Sequence, residues 1–360
     1  MKILALDIGA GTEDILLYDD EKQSIENCIK MVLPSPSLIY ATKVREATCL
    51  CQDLFINGDV IGGGAFASAL RKHVGKGLRV VMTEKAAYSV RNNLDEVREF
   101  GIEITCESPP ADFDGKILTI EEVNIQRLKE FLIAFNEPLS DVDVVAVAVQ
   151  DHGASPKGMS NRTFRIQNMR ELLESNPYPE NLAFKEDEVP SCYLRMKSAV
   201  QASRRQLSEV DIMVMDTSPA AILGCLEDPA LRDVDPILAV NVGNSHTMAA
   251  IINEKRIIGL VEHHTRLLNP EKLRRLLIDF ANGKLDNKDV FNGGGHGLFF
   301  LKKPPGFSKI KRVVATGPNR RILTKTNLPI YFAAPAGDVM MTGPVGLIEA
   351  AKRKFEMMQK

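Results

Sequence analysis

Several features that would assign the chain to a specialised class are scarce in this sequence. Its 360 residues include only six cysteines, too few for a disulfide scaffold. The 45 basic and 47 acidic residues leave a formal net charge of −2, whereas proteins that neutralise nucleic-acid phosphates normally carry a basic excess. The longest wholly apolar run, Val144 to Val149, is far shorter than the roughly 20 residues of a membrane span. These absences argue against nucleic-acid and membrane partners.

The residues that are present have the composition of an ordinary globular protein. Hydrophobic residues make up 44% and charged residues 26%, which excludes general disorder. A chain of this length has more residues than one compact core usually holds, which favours two domains. The strand-like segment Ile3 to Leu6 follows Lys2 without the apolar stretch and cleavage site of a signal peptide. Together with the few cysteines, this predicts a cytoplasmic protein.

Apolar runs alternate with amphipathic stretches along almost the whole chain, which is typical of an α/β protein. The pattern predicts three consecutive strands at 3–8, 14–19 and 25–33, the first two forming a hairpin. A second group of three short strands is predicted from Ile237 to Val261. Each group opens with an apolar run that leads into a glycine-containing turn. We interpret the two groups, about 235 residues apart, as an internal repeat.

The first hairpin turn, Asp7-Ile8-Gly9-Ala10-Gly11-Thr12, contains the groups that a nucleotide site needs. Glycines let the backbone approach a phosphate without intervening Cβ atoms. Amides and a hydroxyl bind phosphoryl oxygens, and a carboxylate holds Mg²⁺ through water. A plain Gly-rich hairpin turn is the alternative. The second group repeats the layout in Asn241-Val242-Gly243-Asn244-Ser245-His246-Thr247, which favours the phosphate interpretation.

The order of these turns resembles the superfamily of actin, sugar kinases and heat-shock chaperone ATPases, whose two Asp-x-Gly-x-x-Thr-like hairpins hold ATP phosphates from opposite sides. Gln150 and Asp151, after the longest apolar run, resemble the end of the connecting strand whose Gln positions the attacking water or the substrate. Val214 to Ala221 is similar to the chaperones' strand-to-helix segment. Val313 to Asn319 resembles the adenosine loop, and Asp338 to Ala351 resembles the terminal helix.

The resemblance implies a two-lobed actin-like ATPase (ribonuclease H-like) fold of the α/β class, in which duplicated mixed-sheet domains enclose a nucleotide cleft. We expect a first lobe at 1–235, with an inserted subdomain around 45–110 and a loop-rich insertion at 150–195. A second lobe is expected at 236–337. The resemblance also implies a C-terminal helix at 338–360 that packs back on the cleft or the first lobe.

The function that the resemblance implies is a Mg²⁺- and ATP-dependent phosphotransferase or ATPase, acting on an unidentified small-molecule acceptor. Asp7 is expected to orient the water shell of Mg²⁺, and Gln150 or Asp151 to place or deprotonate the acceptor. The residues expected to bind ATP are Gly9, Ala10, Gly11, Thr12, Asn241, Gly243, Asn244, Ser245, His246, Thr247, Gly317, Pro318 and Asn319. The alternative is a non-catalytic nucleotide-dependent switch or assembly protein, and a homodimer is left open.

Two positions depart from the superfamily pattern. Asn241 stands where the superfamily usually places Asp, and Thr217 stands about where the chaperones carry a Glu near the metal. Asn can accept a hydrogen bond from a metal-bound water, but it brings no charge and cannot act as a base. Because two acidic groups are missing, such a site is expected to hydrolyse ATP slowly, to use Asp151 in place of a missing acid, or only to bind nucleotide.

The whole chain also resembles a prokaryotic family that carries the label "putative pyruvate formate-lyase activating enzyme". That label implies radical chemistry on an iron–sulfur cluster held by Cys-x-x-x-Cys-x-x-Cys, a spacing that does not occur in this sequence. The nearest cysteines, Cys49 and Cys51, flank a single residue, so the activity is not transferred. An alternative is that these two cysteines hold a metal together with a partner subunit.

A third hypothesis, an NAD-dependent oxidoreductase, rests on a glycine-rich turn. Gly62 to Ala67 reads as Gly-x-Gly-x-x-Ala between a predicted strand, 54–61, and a predicted helix, 65–73. Glu84 follows at the end of the next predicted strand, as in a dinucleotide-binding turn. A ligand-facing loop and a plain tight turn are the alternatives.

Histidines are concentrated near the predicted cleft motifs. Five of the six lie beside them, and these are His152, His246, His263, His264 and His296. With Asp151 and Glu262 they can form a transition-metal site or supply a general base near neutral pH. No pair has the His-x-x-x-His spacing of a metal-binding helix. Local hydrogen bonding of each histidine is therefore the alternative.

Overall fold

The computed structural model describes residues 1–356 as an α/β protein, so that 357–360 of the predicted C-terminal segment lie outside the described residues. The strands are β1 (Lys2–Ile8), β2 (Thr12–Asp19), β3 (Ile29–Pro34), β4 (Leu54–Gly58), β5 (Val80–Thr83), β6 (Glu103–Thr105), β7 (Lys116–Ile120), β8 (Val144–Val149), β9 (Ala183–Lys185), β10 (Asp211–Met215), β11 (Ile237–Val242), β12 (His246–Asn253), β13 (Arg256–His264), β14 (Gly297–Phe300), β15 (Arg312–Thr316) and β16 (Ile330–Phe332). The helices are α1 (Pro36–Cys49), α2 (Gly64–Val74), α3 (Glu84–Ala87), α4 (Leu94–Glu99), α5 (Ile125–Ile133), α6 (Asn161–Ser175), α7 (Leu194–Gln206), α8 (Thr217–Leu226), α9 (Pro270–Ala281), α10 (Asn287–Asn292) and α11 (Thr342–Glu356).

The first sheet has the strand order β3-β2-β1-β8-β10-β9. Strands β1, β2 and β3 form the predicted antiparallel group, and β8 and β10 continue the sheet in parallel with β1. All six residues of β8 are buried, as expected of an apolar strand covered on both faces. The third strand begins at Ile29 rather than at residue 25. The reason is a short 3₁₀ turn, Ile25–Asn27, which Ser24 caps by accepting a hydrogen bond from the Glu26 amide.

The second sheet repeats this plan with the order β14-β13-β12-β11-β15-β16. Strands β11, β12 and β13 are antiparallel neighbours, and β15 lies parallel to β11 just as β8 lies parallel to β1. The internal repeat predicted from the two strand groups is therefore present. The duplicated mixed sheets confirm the actin-like ATPase fold class.

A small third sheet, β6-β5-β4-β7, is wholly parallel and is inserted between β3 and β8 of the first sheet. It forms its own hydrophobic cluster with α1 and α2, in which Phe66 and Leu70 are completely buried. Strand β4 ends at Gly58, three residues earlier than predicted. The loop between β4 and α2 carries the glycines of the Gly62 to Ala67 motif.

Two helices that end the two halves of the chain, α8 and α11, pack against each other. A Cβ atom on Gly224 of α8 would overlap the carbonyl oxygen of Thr342, and one on Gly346 of α11 would overlap that of Ala220. The sequence predicts helix α8 with Ser218 as the N-cap and Pro219 as the first residue, whereas the helix starts two residues earlier, at Thr217, and is capped by Asp216. One hydrophobic cluster joins these helices to strands of both six-stranded sheets.

The segment 150–195, expected to be rich in loops, contains the 15-residue helix α6 and the edge strand β9. The sequence predicts helix α9 from the cap Asn269-Pro270 and from apolar residues that share one face, and the structure has Asn269 as the N-cap with Leu273, Leu277 and Phe280 buried. Among the described helices, none combines the length and the apolarity that spanning a membrane would need.

Candidate functional site

The two glycine-containing turns line one cavity. This cavity has a volume of about 720 Å³ and is lined by Gly9 of the first sheet and by Gly243 of the second. The turns approach closely, since a Cβ atom on Gly11 would overlap the side-chain amide of Asn244. The repeat that is visible in the sequence is therefore also a spatial pair, with one turn on each side of the same space.

The two turns have the same backbone form. The amide of Gly9 donates to the carbonyl oxygen of Thr12, and the amide of Gly243 donates to that of His246, each over 2.9 Å. The strand registers agree, because Ile8 pairs with Glu13 and Val242 pairs with Thr247. The position of Thr12 is thus taken by His246 in the second turn. Thr247 corresponds to Glu13 instead, one residue beyond the turn.

Most residues that the sequence assigned to the site line this cavity, namely Asp7, Gly9, Ala10, Thr12, Gln150, Asp151, Asn241, Gly243, Asn244, Ser245, His246, Gly317 and Pro318. The other three lie beside it. Gly11 contacts Asn244, and Thr247 is buried with its hydroxyl 3.0 Å from that of Thr265. Asn319 supports the second turn, because its side-chain amide donates to the Gly243 carbonyl over 3.1 Å.

Two carboxylates at the first turn have oxygens without hydrogen-bond partners. The Oδ1 atoms of Asp7 and Asp14 are buried, and no partner for either lies within residues 1–356. Burial, reinforced by Asp14 and Asp216, raises the pKa of Asp7 well above its usual range. Burial also raises the pKa of Asp14 to about 7. Carboxylate oxygens are the ligands that Mg²⁺ prefers. A divalent cation between these two side chains would lower both pKa values and keep both carboxyl groups ionised.

A buried arginine connects the two six-stranded sheets. Arg165 of α6 donates to Asp216 over 2.6 and 2.9 Å and to Glu262 of β13 over 2.7 and 3.0 Å. Its side chain is 1% exposed. Burial alone raises the pKa of Glu262, but Arg165 and His296 hold it well below its usual range. We call these three residues, Arg165, Asp216 and Glu262, the Arg165 triad.

Asp151 is held by backbone amides. Its Oδ1 accepts from Gly153 over 2.9 Å, and its Oδ2 accepts from Arg195 over 2.8 Å and from Met196 over 3.2 Å. Burial raises the pKa of this carboxyl, while the amide bonds oppose the rise. Because both oxygens are engaged, Asp151 fixes the start of α7 against the end of β8. We therefore do not assign it the role of a base.

Gln150 and Arg195 connect the cavity to the small sheet. Arg195 donates to the Gln150 carbonyl over 2.9 Å and forms an ion pair of 2.5 Å with the buried Glu122. Glu122 in turn accepts from the amide of Gly62 over 2.9 Å. The loop from Gly62 to Gly64 lines the same cavity as the two turns. This position agrees with a ligand-facing loop.

Four of the five histidines near the cleft motifs meet at the cavity wall, and they are His152, His246, His264 and His296. Their ring centroids are 4.6 to 5.5 Å apart in the contacting pairs. His263 does not join them, because its ring lies against Gly293 and Gly295. Sequence spacing did not single out Arg165, Arg195 or Glu122, which hold this region together.

A model of one protein family matches residues 61–322 of the chain, and its description reads "Putative pyruvate format-lyase activating enzyme (DUF1786)". The matched part is well over half of the sequence. Comparison with curated proteins gave no match.

Several solved structures are similar to the chain over almost its full length, at low sequence identity. A Listeria monocytogenes protein described as "a putative N-acetylmannosamine kinase" is 9% identical, with a TM-score of 0.38 and coverage of 98% of this chain and 99% of that one. A ROK hexokinase from Thermus thermophilus is 11% identical, with a TM-score of 0.36 and coverage of 99% and 100%. A chain of a PilM-PilN type IV pilus biogenesis complex is 11% identical, with a TM-score of 0.41 and coverage of 97% and 98%.

Proposed function

The chain belongs to the DUF1786 family, and from the geometry of its cavity we propose that it binds Mg²⁺ and ATP as a phosphotransferase or ATPase. The observation that carries this proposal is the pair of matching turns, each closed by the same glycine-to-carbonyl hydrogen bond and both lining one cavity. Backbone amides next to glycines are suited to phosphoryl oxygens, because no Cβ atom blocks the approach.

Each part of the cavity receives a role in this proposal. Asp7 and Asp14 would hold Mg²⁺, which when bound offsets the negative charge of the phosphates. The two turns would bind the phosphates, and the loop at Gly317 would contact the nucleoside. Gly317 has a φ of +91°, and a Cβ atom there would lie 2.5 Å from the Val242 carbonyl oxygen. Only glycine therefore lets this loop rest against the second turn.

The acceptor would lie between Gln150 and the loop at Gly62, which face the same space. The side-chain nitrogen of Gln150 is buried without a partner among the described residues, so it has a free donor for an acceptor oxygen. The sequence-derived boundary between residues 235 and 236 separates the strands of the two six-stranded sheets. We propose it as the domain boundary, with α11 packing back on β1, β2 and β8 of the first domain.

A nucleotide-dependent switch is the second candidate, and one observation favours it. Neither Asp151, whose oxygens are bound by amides, nor Asn241, which has no charge, offers a free carboxylate base beside Gln150. The imidazole beside Gln150, that of His246, is a weak base because burial lowers its pKa to about 3. Such a site would bind nucleotide and turn it over slowly. Formation of ADP that increases with a small hydroxylated acceptor, together with phosphorylation of that acceptor, would favour the phosphotransferase over the switch, because only a transferase uses the acceptor as its substrate.

The activity in the family's description does not enter the proposal. The six cysteines are Cys28, Cys49, Cys51, Cys106, Cys192 and Cys225, and no three of them follow the Cys-x-x-x-Cys-x-x-Cys spacing. The chain lacks the motif on which that chemistry depends.

Replacing Asp7 with asparagine tests the proposal. We expect Asp7→Asn to weaken Mg²⁺-ATP binding at least about tenfold, or about 1.4 kcal/mol, because the variant loses the charge that holds the cation. Calorimetric titration of ATP, ADP and NAD⁺ with and without Mg²⁺ measures this. Asp211→Asn is the matched control, since Asp211 is exposed at the start of β10. Binding of NAD⁺ in place of ATP would overturn the proposal, and wild-type affinity in Asp7→Asn would remove the role of Asp7.

A further inference from the structure

Three histidines from different segments bring their ring nitrogens together at the cavity wall. One ligand atom each from His152, His246 and His296 lies within 4.8 Å of the others. His152 follows β8 of the first sheet, whereas His246 starts β12 and His296 precedes β14 of the second sheet. The sequence placed these three among five histidines that could form a metal site, and the tertiary fold brings them together. We call these residues the three-histidine cluster.

Hydrogen bonds orient His246 so that one nitrogen remains available. Its Nδ1 lies 2.9 Å from Oε1 of Gln150, an oxygen that only accepts hydrogen bonds, so Nδ1 carries the proton. The lone pair is then on Nε2. This atom is buried and has no hydrogen-bond partner within residues 1–356. A buried nitrogen lone pair without a donor is costly unless a ligand occupies it.

A carboxylate orients His296 as Gln150 orients His246, with Nδ1 facing an acceptor oxygen. Its Nδ1 lies 2.5 Å from Oε2 of Glu262, and both side chains are almost completely buried. Nδ1 therefore carries a proton, which leaves Nε2 as the nitrogen that can bind a metal ion once it has no proton. A carboxylate behind a histidine is the usual support of a metal-binding imidazole, because it fixes the tautomer and raises the basicity of the ring. The Arg165 triad in turn holds Glu262 in place.

The surroundings favour a cation over an anion. The unpartnered Nε2 of His246 carries a lone pair, which binds a metal ion and repels an anion. The Arg165 triad behind the cluster combines two carboxylates with one guanidinium and has a formal charge of −1.

We propose that His152, His246 and His296 form a binding site for one divalent transition-metal ion, with Zn²⁺ or Co²⁺ as representative ions. Three imidazoles select such ions over Mg²⁺, which prefers oxygen ligands. A metal–nitrogen distance of 2.0 to 2.1 Å requires the three nitrogens to be about 3.4 Å apart, so the rings close by about 1 Å on binding. With three protein ligands, one coordination position is open towards the cavity.

This site is separate from the proposed Mg²⁺ position in both ligands and chemistry. The Asp7 and Asp14 oxygens would hold a hard cation, while the three-histidine cluster offers only nitrogens. The His264 ring contacts those of His246 and His296 at centroid distances of 4.8 Å but is not one of the three clustered ligands. Metal binding by the three-histidine cluster therefore does not require a bound nucleotide.

Metal titration of the full chain tests the proposal. After treatment with a chelator, the chain is titrated with Zn²⁺ by calorimetry and with Co²⁺ by visible absorption, whose intensity reports the coordination geometry. We expect one ion per chain with a four-coordinate Co²⁺ spectrum. His246→Ala and His296→Ala are each expected to lower the affinity at least about tenfold, because each removes a ligand.

His263→Asn is the matched control, since His263 lies on the same strand as Glu262 but faces Gly293 and Gly295. It should bind Zn²⁺ as the wild type does. If His296→Ala fails to fold, His152→Asn replaces it, because the His152 ring packs on the rings of His246 and His296. Unchanged Zn²⁺ affinity in His246→Ala and His152→Asn would overturn the inference, as would binding of inorganic phosphate in place of Zn²⁺. Zn²⁺ binding that persists in Asp7→Asn would show that the two sites are independent.

Discussion

Replacing Arg165 with methionine is expected to lower the free energy of unfolding by about 3–5 kcal/mol, the range measured when a buried ion pair loses one partner. The variant would keep most of the side-chain volume but leave Asp216 and Glu262 without their shared guanidinium. Both carboxylates are almost completely buried, so water cannot replace the lost hydrogen bonds. Urea unfolding followed by circular dichroism measures the change.

Arg170→Met is the matched control for this prediction. Arg170 lies on the same helix and pairs with Glu174, but both side chains are about half exposed. Exposed pairs of this kind contribute no more than about 0.5 kcal/mol. Adding Glu262→Gln to Arg165→Met should recover part of the loss, because it removes one unpaired charge. Equal losses in Arg165→Met and Arg170→Met would contradict a structural role for the Arg165 triad.

Replacing Gly224 with alanine is expected to destabilise the protein by about 3 kcal/mol or more, at the upper end of the cost of overpacking a core. The added methyl group would overlap the Thr342 carbonyl oxygen, which is backbone and cannot rotate away. Helices α8 and α11 would have to separate, and both lie in the hydrophobic cluster that joins the sheets. Thermal unfolding and urea unfolding would both report the loss.

Gly9→Ala is the control for the Gly224 prediction. A Cβ atom on Gly9 would lie 3.4 Å from the Thr12 carbonyl oxygen, an ordinary contact distance. The stability of this variant should change by no more than about 1 kcal/mol. If Gly224→Ala were as stable as Gly9→Ala, the close packing of α8 on α11 would not be required by the fold.

The elements predicted best are those that depend on local patterns. The hairpin of β1 and β2, the buried strand β8 and the group β11 to β13 follow from apolar runs and turn residues that are adjacent in sequence. Helix α9 follows from an N-cap asparagine and apolar residues three and four apart. The repeated topology was predictable for the same reason, because each copy carries its own local signal.

The missed features depend on contacts between distant residues. Arg165 has partners 51 and 97 positions away, and an arginine at a core position interrupts the apolar pattern of α6. Without a clear apolar periodicity, the sequence around α6 predicts a loop rather than a helix. Asp151 resembled a base because it follows Gln150, whereas the amides that bind it come from Gly153, Arg195 and Met196. Spacing alone does not reveal which carboxylates the backbone already satisfies.

The second turn differs from the first in the residue that closes it. Thr12 follows Gly9 by three residues and His246 follows Gly243 by three, so the sequence spacing and the strand registers agree on this pairing. Thr247 lies one position further along β12, and adjacent residues of a strand face opposite sides. As a result, the second turn presents an imidazole to the cavity where the first presents a hydroxyl.

The hydrophobic cluster shared by the two six-stranded sheets determines how the chain can be dissected. Helix α11 comes last in sequence but covers β1, β2 and β8, so a fragment that ends near residue 235 would leave that surface open to water. The remaining fragment would contain Glu262 without Arg165. We therefore expect that neither fragment folds alone. In the full chain the two sheets should unfold together in a single calorimetric peak. Co-expression of both fragments, rather than either alone, is the route by which a split version of this protein would regain its structure.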